Sequence, residues 1–384
     1  MAKILVVGKY YYPFQGGIED NTKSVCETLA KKHDVTVLVF NHEAGEREEH
    51  INGVRVIRKK VLANLKSQPV APRLFSGISI DDYDAIHFHS PNPFANALFL
   101  WKWGFSKRPP VIVTHHMDIY GRKFLRNLAI PFLHLLVKNA KTTIITSKKN
   151  LTISADLPNS GNYTVIPLSI DPDDFVIDES IRKSVMNRRK ALYGDAKVIG
   201  FLGRHARYKG LTELVEAISG LPDIHLLIAG DGPLRQNIET RVRELGLTDR
   251  VHFLGRVSHE EKLELFASID AFVFPSTEIT EAFGISQIEA MFCKTPVVSS
   301  NLPTGVTDVA IDGRTAILAE PGDVESLREK IRIVIEDADL SARLRQAGHE
   351  HVAANMIHEV TGEHVFNMFD AVISGETIKG IQKQ

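Results

Sequence analysis

The chain has 384 residues, of which 43% are hydrophobic and 24% charged, and its formal net charge is −1 at pH 7. These ordinary globular values exclude disordered and fibrous classes, and the length accommodates two α/β domains. The two cysteines, Cys26 and Cys293, lie in separate halves, which argues against a disulfide framework and a zinc site and indicates a reducing compartment.

Charge is distributed unevenly along the chain. Residues 1–170 carry an excess of nine positive charges, and the remaining residues carry an excess of ten negative charges. A basic half can attract an anionic membrane or a phosphorylated ligand, or it can simply match the acidic half. No apolar run is long enough to span a bilayer, and the N-terminus is typical of a strand rather than a signal peptide. We therefore expect a soluble or peripheral protein.

The first predicted unit is a strand at 3–7, a loop with two glycines and a helix to about Lys32, as in a Rossmann-like domain. The loop lacks the dinucleotide pattern G-x-G-x-x-G. The loop contains Gly16 and Gly17, followed by an apolar residue and Glu19. The paired glycines allow the backbone to approach a ligand closely. A ligand-binding loop and an ordinary glycine-containing turn both fit this pattern.

Four further strands are predicted in the first half, at 35–40, 54–60, 85–89 and 111–114, and the last one visible lies at 142–147. His87 and His89 are expected on opposite faces of their strand, with a structural role favoured for His89 and no metal site. His115, His116 and Asp118 follow the strand at 111–114. They should lie at the carboxyl edge of the sheet, where ligands bind.

Residues 122–141 alternate apolar and basic side chains at helical spacing. Such a segment can lie on an anionic membrane, or it can be an ordinary surface helix with its apolar face turned inward. Trp101 and Trp103 nearby favour the membrane interpretation, since tryptophan prefers interfaces. Both alternatives remain open. The residues at 165–172 have the turn chemistry of an interdomain linker.

The second half alternates strands and helices, which implies a parallel, doubly wound sheet. Strands are predicted at 198–202, 224–229, 251–254, 271–274 and 296–299, with helices from about residues 211, 234 and 259, and a helical tail at 351–381. Arg204 and Lys209 lie in the first loop of this half, where a guanidinium fork and an ammonium suit a diphosphate. A tight turn, Gly-Asp-Gly-Pro, follows the second strand.

The segment 280–290 follows a buried strand and continues into a helix. Glu281 is predicted at the helix start and Glu289 two turns deeper. Free amides at a helix start bind anions and carboxylates accept hydrogen bonds from hydroxyl groups, so the segment suits a ligand that is part phosphate and part polyol. The alternative is a first-turn acid favoured by the helix dipole and a solvated second glutamate.

The string Glu-x7-Glu, with Phe-Gly after the first glutamate and Glu-Ala-Met at the second, resembles the signature of retaining family-4 glycosyltransferases of the GT-B fold. The Gly-Arg-x4-Lys-Gly loop and the Gly-Asp-Gly-Pro turn resemble the same family. The resemblance implies an α/β protein with two Rossmann-like domains facing a central cleft. Residues 1–170 and a last helix at about 360–384, crossing back, would form the acceptor side, and 171–359 would bind the nucleotide sugar.

The resemblance also implies roles for individual residues. Arg204 and Lys209 would hold the diphosphate, Glu281 would position sugar hydroxyls without acting as an established nucleophile, and Glu289 would bind ribose. His116 would contact the transferred sugar or acceptor, with His115 and Asp118 beside it. The full set implied to bind the sugar donor is Gly16, Gly17, Arg204, Lys209, Arg256, Val257, Glu281, Ala282, Phe283, Gly284, Ile285 and Glu289.

The implied reaction moves a hexosyl unit from a UDP- or GDP-sugar to a saccharide or a polyprenyl-diphosphate-linked acceptor, without a cofactor, metal ion or nucleic acid. The implied location is the cytoplasm, at the inner face of the cell membrane. Three alternatives remain: a transferase with a soluble acceptor, a GT-B sugar-nucleotide epimerase, and a sugar-nucleotide- or dinucleotide-binding protein without transferase chemistry.

Overall fold

The computed structural model describes residues 1–14, 16–65, 68–119 and 123–383, without the side chains of residues 65 and 123–125. The chain forms two compact units, Met1–Leu168 with Glu359–Gln384, and Ser169–His358. The domains predicted from the sequence are 1–170 with about 360–384, and 171–359. Within the described ranges, no helix is long and apolar enough to cross a membrane.

The secondary structure alternates strands and helices in both units. The strands are β1 Lys3–Val7, β2 Asp34–Phe40, β3 Arg47–Ile51, β4 Val54–Lys59, β5 Ala63–Leu65, β6 Gln68–Val70, β7 Ala85–Ser90, β8 Val111–His115, β9 Thr142–Ile145, β10 Tyr163–Val165, β11 Lys197–Leu202, β12 Ile224–Ala229, β13 Val251–Gly255, β14 Ala271–Phe274, β15 Val297–Ser300 and β16 Ile317–Ala319. The helices are α1 Gly17–Ala30, α2 Pro93–Gly104, α3 Lys123–Asn139, α4 Lys148–Ile153, α5 Glu179–Tyr193, α6 Leu211–Ser219, α7 Arg235–Glu244, α8 His259–Ser268, α9 Ile285–Phe292, α10 Val306–Val309, α11 Val324–Glu336, α12 Ala338–Asn355 and α13 His358–Ile373.

The first unit is built on an eight-stranded sheet with the order β10-β9-β8-β7-β1-β2-β4-β3. All neighbouring strands are parallel except β3 and β4, which form a hairpin at the edge. Asn52 and Gly53 connect that hairpin with positive φ angles of 48° and 81°, as a type I′ turn requires. The central strands are buried along almost their whole length because helices cover both faces of a parallel sheet.

The last helix returns to the first unit. On α13, Val365 and Phe369 are buried among Ile4 and Val6 of β1, the strand at the centre of the sheet. This arrangement confirms the predicted crossing of the C-terminal helix back to the N-terminal half. The sequence prediction missed the edge strands β3 and β10: β3 is polar and mostly exposed, and β10 has only three residues.

The second unit contains a six-stranded parallel sheet with the order β13-β12-β11-β14-β15-β16. Leu211, Leu214, Val215 and Ile218 place a continuous apolar face of α6 against this sheet. The chain leaves β11 in one direction towards β12 and returns on the other side of β11 as β14. In open α/β sheets, such a reversal of strand order marks the place where ligands bind, at the carboxyl ends of the strands.

Candidate functional site

The loop after β11 carries the predicted diphosphate-binding residues. Arg204 is exposed, and within the described chain its guanidinium has no hydrogen-bond or ion-pair partner. Lys209 ends a short 3-10 turn and is largely buried, with its ammonium 5.1 Å from the ring centroid of Phe274. Of the two predicted diphosphate ligands, Arg204 is therefore free to meet a ligand and Lys209 is held in place.

The loops after β11 and β14 are fixed against each other by backbone contacts. The amide of Thr277 donates to the carbonyl of Tyr208 at 2.8 Å. Gly210 has φ of 67°, and a Cβ at this position would collide with the carbonyl oxygen of Pro275. A glycine is therefore required where the two loops meet. This contact brings Lys209 beside the segment that carries Glu281.

Glu281 is buried, and its carboxylate has two partners. Lys209 Nζ lies 2.5 Å from Glu281 Oε2, and Ser276 Oγ donates to the same oxygen at 3.0 Å. The predicted helix start is wrong, because α9 begins at Ile285 after Gly284, whose φ is 82°. Glu281 therefore lies in the preceding loop, where Thr304 Oγ1 donates to its carbonyl at 2.8 Å.

Glu289 lies in the second turn of α9, closer to the helix start than predicted. Its Oε1 is 2.7 Å from Lys262 Nζ on α8, and both side chains are largely buried. Lys262 also lies 4.7 Å from the ring centroid of Phe175. Sequence reasoning missed Lys262 because nothing in the sequence shows which residue of α8 faces α9. Ser276 could have been identified, since it lies two residues after the end of β14.

The remaining residues predicted to bind the sugar donor in this unit surround the same strand ends. Arg256 is exposed and Val257 half-buried directly after β13. Phe283 is buried and precedes α9, next to the predicted amides of Ala282 and Gly284. A Cβ at Gly230, in the turn after β12, would collide with the backbone of Gly203, so these loops also pack closely.

In the first unit, the predicted glycine pair lies at the start of α1. Gly16 is the N-cap and Gly17 the first helical residue. Glu19 lies in the first turn of α1 and is buried. Burial raises the pKa of its carboxyl group, although its own backbone hydrogen bond and Lys9 act to lower that pKa.

Three buried histidines lie together beside this helix. His87 and His89 point to the same face of β7, with ring centroids 4.3 Å apart. The predicted placement on opposite faces is wrong, because side chains two residues apart share a face of a strand. His89 Nδ1 lies 2.9 Å from His116 Nε2 and 3.2 Å from Thr22 Oγ1 of α1. His89, expected to be structural, is thus in direct contact with the predicted ligand-binding His116.

His115 and Asp118 form a separate set of contacts. Asp118 Oδ1 lies 3.2 Å from His115 Nε2 and accepts from Ser154 Oγ at 2.6 Å, and Oδ2 accepts from the amide of Ala155 at 2.7 Å. Burial alone would raise the pKa of Asp118, but these bonds lower it. Both carboxylate oxygens have partners inside the first unit, so Asp118 is placed to fix the loop after β8.

The described residues contain no group of three histidine, cysteine or acidic side chains arranged to hold a metal ion.

The helices α2 and α3 pack on each other and expose large apolar side chains. Trp101 of α2 is 70% exposed and Phe105, the residue after the helix, is 82% exposed. Leu128, Phe132 and Leu135 form an exposed stripe along α3. Trp103, predicted to act with Trp101, instead packs on the core and donates from Nε1 to the carbonyl of Pro109. These two tryptophans therefore have different roles.

The basic residues of the predicted membrane segment are not equivalent. Arg126 pairs with the fully buried Asp156 at 2.5 Å and so stabilises the fold, contrary to its predicted surface role. Arg122 lies outside the described residues, as does the side chain of Lys123. Lys138 is exposed and continues the apolar stripe of α3.

Comparison with known proteins decides the family. The model "Glycosyltransferase Family 4" matches residues 15–174, and "Glycosyl transferases group 1" matches residues 183–351. The O-antigen chain mannosyltransferase C of Escherichia coli is 31% identical over 355 residues, covering 89% of this chain and 91% of that protein. The chain belongs to the family-4 glycosyltransferases.

Two further proteins extend the comparison. A GDP-mannose-dependent alpha-(1-6)-phosphatidylinositol monomannoside mannosyltransferase of Mycolicibacterium smegmatis is 25% identical, covering 92% of this chain and 94% of that one. The structure of Anabaena Alr3699/HepE in complex with UDP-glucose superposes with a TM-score of 0.77 at 20% identity, covering 97% of this chain and all of that one. This family-4 glycosyltransferase therefore has the GT-B fold with two Rossmann-like units, as predicted.

Proposed function

We propose that this protein is a retaining, metal-independent hexosyltransferase that uses a nucleoside-diphosphate sugar. One observation carries the proposal: Lys209 pairs with Glu281, and Arg204 lies in the same loop as Lys209, at the strand ends where the order of the second sheet reverses. Cations at this place can stabilise a departing diphosphate without reorganising, and a carboxylate can orient sugar hydroxyls. The related proteins differ in nucleotide, since one is named GDP-mannose-dependent and another is solved with UDP-glucose. Both nucleotides stay candidates.

The ion pair between Lys209 and Glu281 suggests how this site prepares for its ligand. The two opposite charges pair at 2.5 Å in a largely buried position. A bound diphosphate offers Lys209 a stronger negative partner. Glu281, still held by Ser276, is then free to accept hydrogen bonds from sugar hydroxyls.

The two glutamates should have separable kinetic effects. We expect Glu289→Gln to raise the Michaelis constant for the sugar donor more than it lowers turnover, because a ribose contact serves the ground and transition states alike. We expect Glu281→Gln to lower turnover instead. Initial rates at varied concentrations of the sugar donor measure both effects. Glu278→Gln, an exposed residue of the loop that carries Glu281, is the control and should change neither. The reverse pattern would mean that the two roles are exchanged.

We further propose that the acceptor is a saccharide carried on lipid in envelope glycan assembly, and that the enzyme works on the inner face of the membrane. The Mycolicibacterium relative is named for a lipid acceptor. In this chain, the apolar stripe Leu128, Phe132 and Leu135 is exposed, and Lys138 extends it by one helical turn. Apolar side chains flanked by cations suit an anionic lipid surface. A soluble saccharide acceptor is the alternative.

Liposome co-sedimentation at low and moderate salt tests this attachment. We expect binding to anionic vesicles that weakens with salt, because each cation near the surface contributes ~1 kcal/mol to an electrostatic attraction that salt screens. The double variant Leu128→Ser/Leu135→Ser should lose this binding, and Lys138→Glu should reduce it. Lys183→Glu, an equal charge reversal at an exposed site in the second unit, should bind like the wild type. Absence of binding at low ionic strength would leave the soluble acceptor as the remaining interpretation.

A further inference from the structure

The contacts of Thr22 determine where the protons lie in the buried histidine group of the first unit. Thr22 Oγ1 lies 2.8 Å from the carbonyl oxygen of Ile18, one turn earlier on α1. A carbonyl oxygen can only accept, so the single hydroxyl proton of Thr22 must lie in this short contact. Two lone pairs would otherwise face each other at 2.8 Å. Towards any third group, Thr22 Oγ1 can therefore act only as an acceptor.

His89 is that third group. Its Nδ1 lies 3.2 Å from Thr22 Oγ1, and since the hydroxyl has no proton left to give, the proton in this contact belongs to His89 Nδ1. The same nitrogen lies 2.9 Å from His116 Nε2. The two imidazole planes are 17° apart, an orientation that allows an in-plane N–H···N bond. His89 Nδ1–H is thus shared between Thr22 and His116.

His116 must then accept at Nε2 and carry its own proton on Nδ1. Burial lowers the pKa of His89 well below its ordinary value and that of His116 to about 3, so both rings are neutral near pH 7. A neutral imidazole with a bare Nε2 has its N–H at Nδ1. His116 Nδ1 has no hydrogen bond to any described residue and is not among the enclosed polar atoms, so it is the ring nitrogen open to a ligand.

We infer that His89, held by Thr22, is a positioning residue that fixes His116 in the Nδ1–H form and so makes it a hydrogen-bond donor to an oxygen of the sugar or acceptor. His116 then recognises a lone pair on its ligand and does not take a proton through this nitrogen. The inference rests on the proposed function only for the identity of the ligand. The arrangement of protons is a property of the protein without any ligand.

Nitrogen-15 spectroscopy of histidine side chains in the full chain tests the inference directly. With 15N-histidine labelling at pH 7.5, two-bond proton–nitrogen correlations distinguish the two neutral tautomers, and the signals of His116 are those lost in His116→Gln. We expect the Nδ1–H pattern for His116 in the wild type and in Thr22→Ser, which keeps the hydroxyl group. We expect a shift towards the Nε2–H form in Thr22→Val and in His89→Phe. An Nε2–H pattern in the wild type, or a Thr22→Val spectrum like that of the wild type, would overturn the inference.

Kinetics supply a second readout once transfer is measured. Thr22→Val should lower kcat/KM by about tenfold, which corresponds to the loss of one hydrogen bond. Thr22→Ser, which keeps the hydroxyl group, should have nearly the wild-type kcat/KM. His87→Gln is a matched control, because His87 bonds Thr114 Oγ1 and not His116. If no transfer is found with any sugar donor, the proposed function fails while the tautomer result stands. If transfer occurs with His116 in the Nε2–H form, the inference alone fails.

Discussion

Arg204→Ala is expected to lower kcat/KM for transfer about a hundredfold and to leave the fold intact. Loss of one preorganised group that stabilises developing charge commonly costs ~3 kcal/mol in the transition state. Arg204 is exposed and has no partner within the described chain, so its removal leaves no buried charge unpaired. Steady-state kinetics with the preferred sugar donor and a thermal melt of each variant measure the two parts of this prediction.

The same loop supplies the control. Arg207 carries the same charge three residues away, is 92% exposed, and lies 3.9 Å from Glu278. Arg207→Ala should therefore keep near wild-type kinetics. Lys209→Ala should lose as much activity as Arg204→Ala and also some stability, because it leaves the buried carboxylate of Glu281 without its cation. Wild-type turnover in both Arg204→Ala and Lys209→Ala, at low and saturating sugar donor alike, would refute the diphosphate assignment.

The first unit is expected to lose stability steeply as the pH falls below about 6.5. Burial lowers the pKa of His87 and His116 to about 3, and burial with neighbouring histidines lowers that of His89. The native state therefore binds fewer protons than the unfolded state. The stabilising effect is complete above the unfolded pKa and is lost as the pH falls towards the folded values. Over this range each such histidine lowers the free energy of unfolding by ~1.4 kcal/mol for every pH unit, so the three together lower it by ~4 kcal/mol per pH unit.

Urea denaturation followed by tryptophan fluorescence measures the stability of the first unit, where the three histidines lie. Trp101 and Trp103 are the two tryptophans of the chain, and both lie in the first unit. His87→Leu should reduce the dependence of stability on pH between 6.5 and 5 by about a third, since one of three titrating groups is removed. Thr114→Val removes the bond to His87 but keeps all three rings, so its loss of stability should be the same at each pH. If the free energy of unfolding does not change between pH 7 and pH 5, the claim that the three buried histidines are neutral in the native state is contradicted.

The fold was predictable from the sequence because its determinants are local. The strands β1, β2, β8, β11 and β14 are buried and mostly apolar, and β7, β12 and β13 keep apolar residues around their histidines. The helices between them repeat apolar residues at helical spacing. Elements without that signal were missed: β3 is a polar edge strand, and β10 and β16 have three residues each.

The candidate site was only partly predictable. Arg204, Lys209 and the two glutamates could be placed because a family signature fixes their spacing. The lysine partners of those glutamates could not, since Lys262 reaches Glu289 through the packing of α8 on α9 and Lys209 reaches Glu281 through a contact between two loops. The contact of Thr22 with His89 likewise joins residues 67 positions apart. Tertiary packing determines these contacts, and a single sequence does not reveal it.

The central claim, that the second unit binds a nucleoside-diphosphate sugar for transfer, is tested most directly by mass spectrometry. UDP- and GDP-sugars are incubated with wild-type protein and soluble or lipid-linked saccharides, with Arg204→Ala in parallel. We expect one sugar donor to release its nucleoside diphosphate while an acceptor gains one hexosyl residue, and both signals to fall together in Arg204→Ala. Sugar nucleotides that bind and return unchanged would indicate a binding protein, and conversion to an isomer of the same mass would indicate an epimerase; either result would contradict the claim.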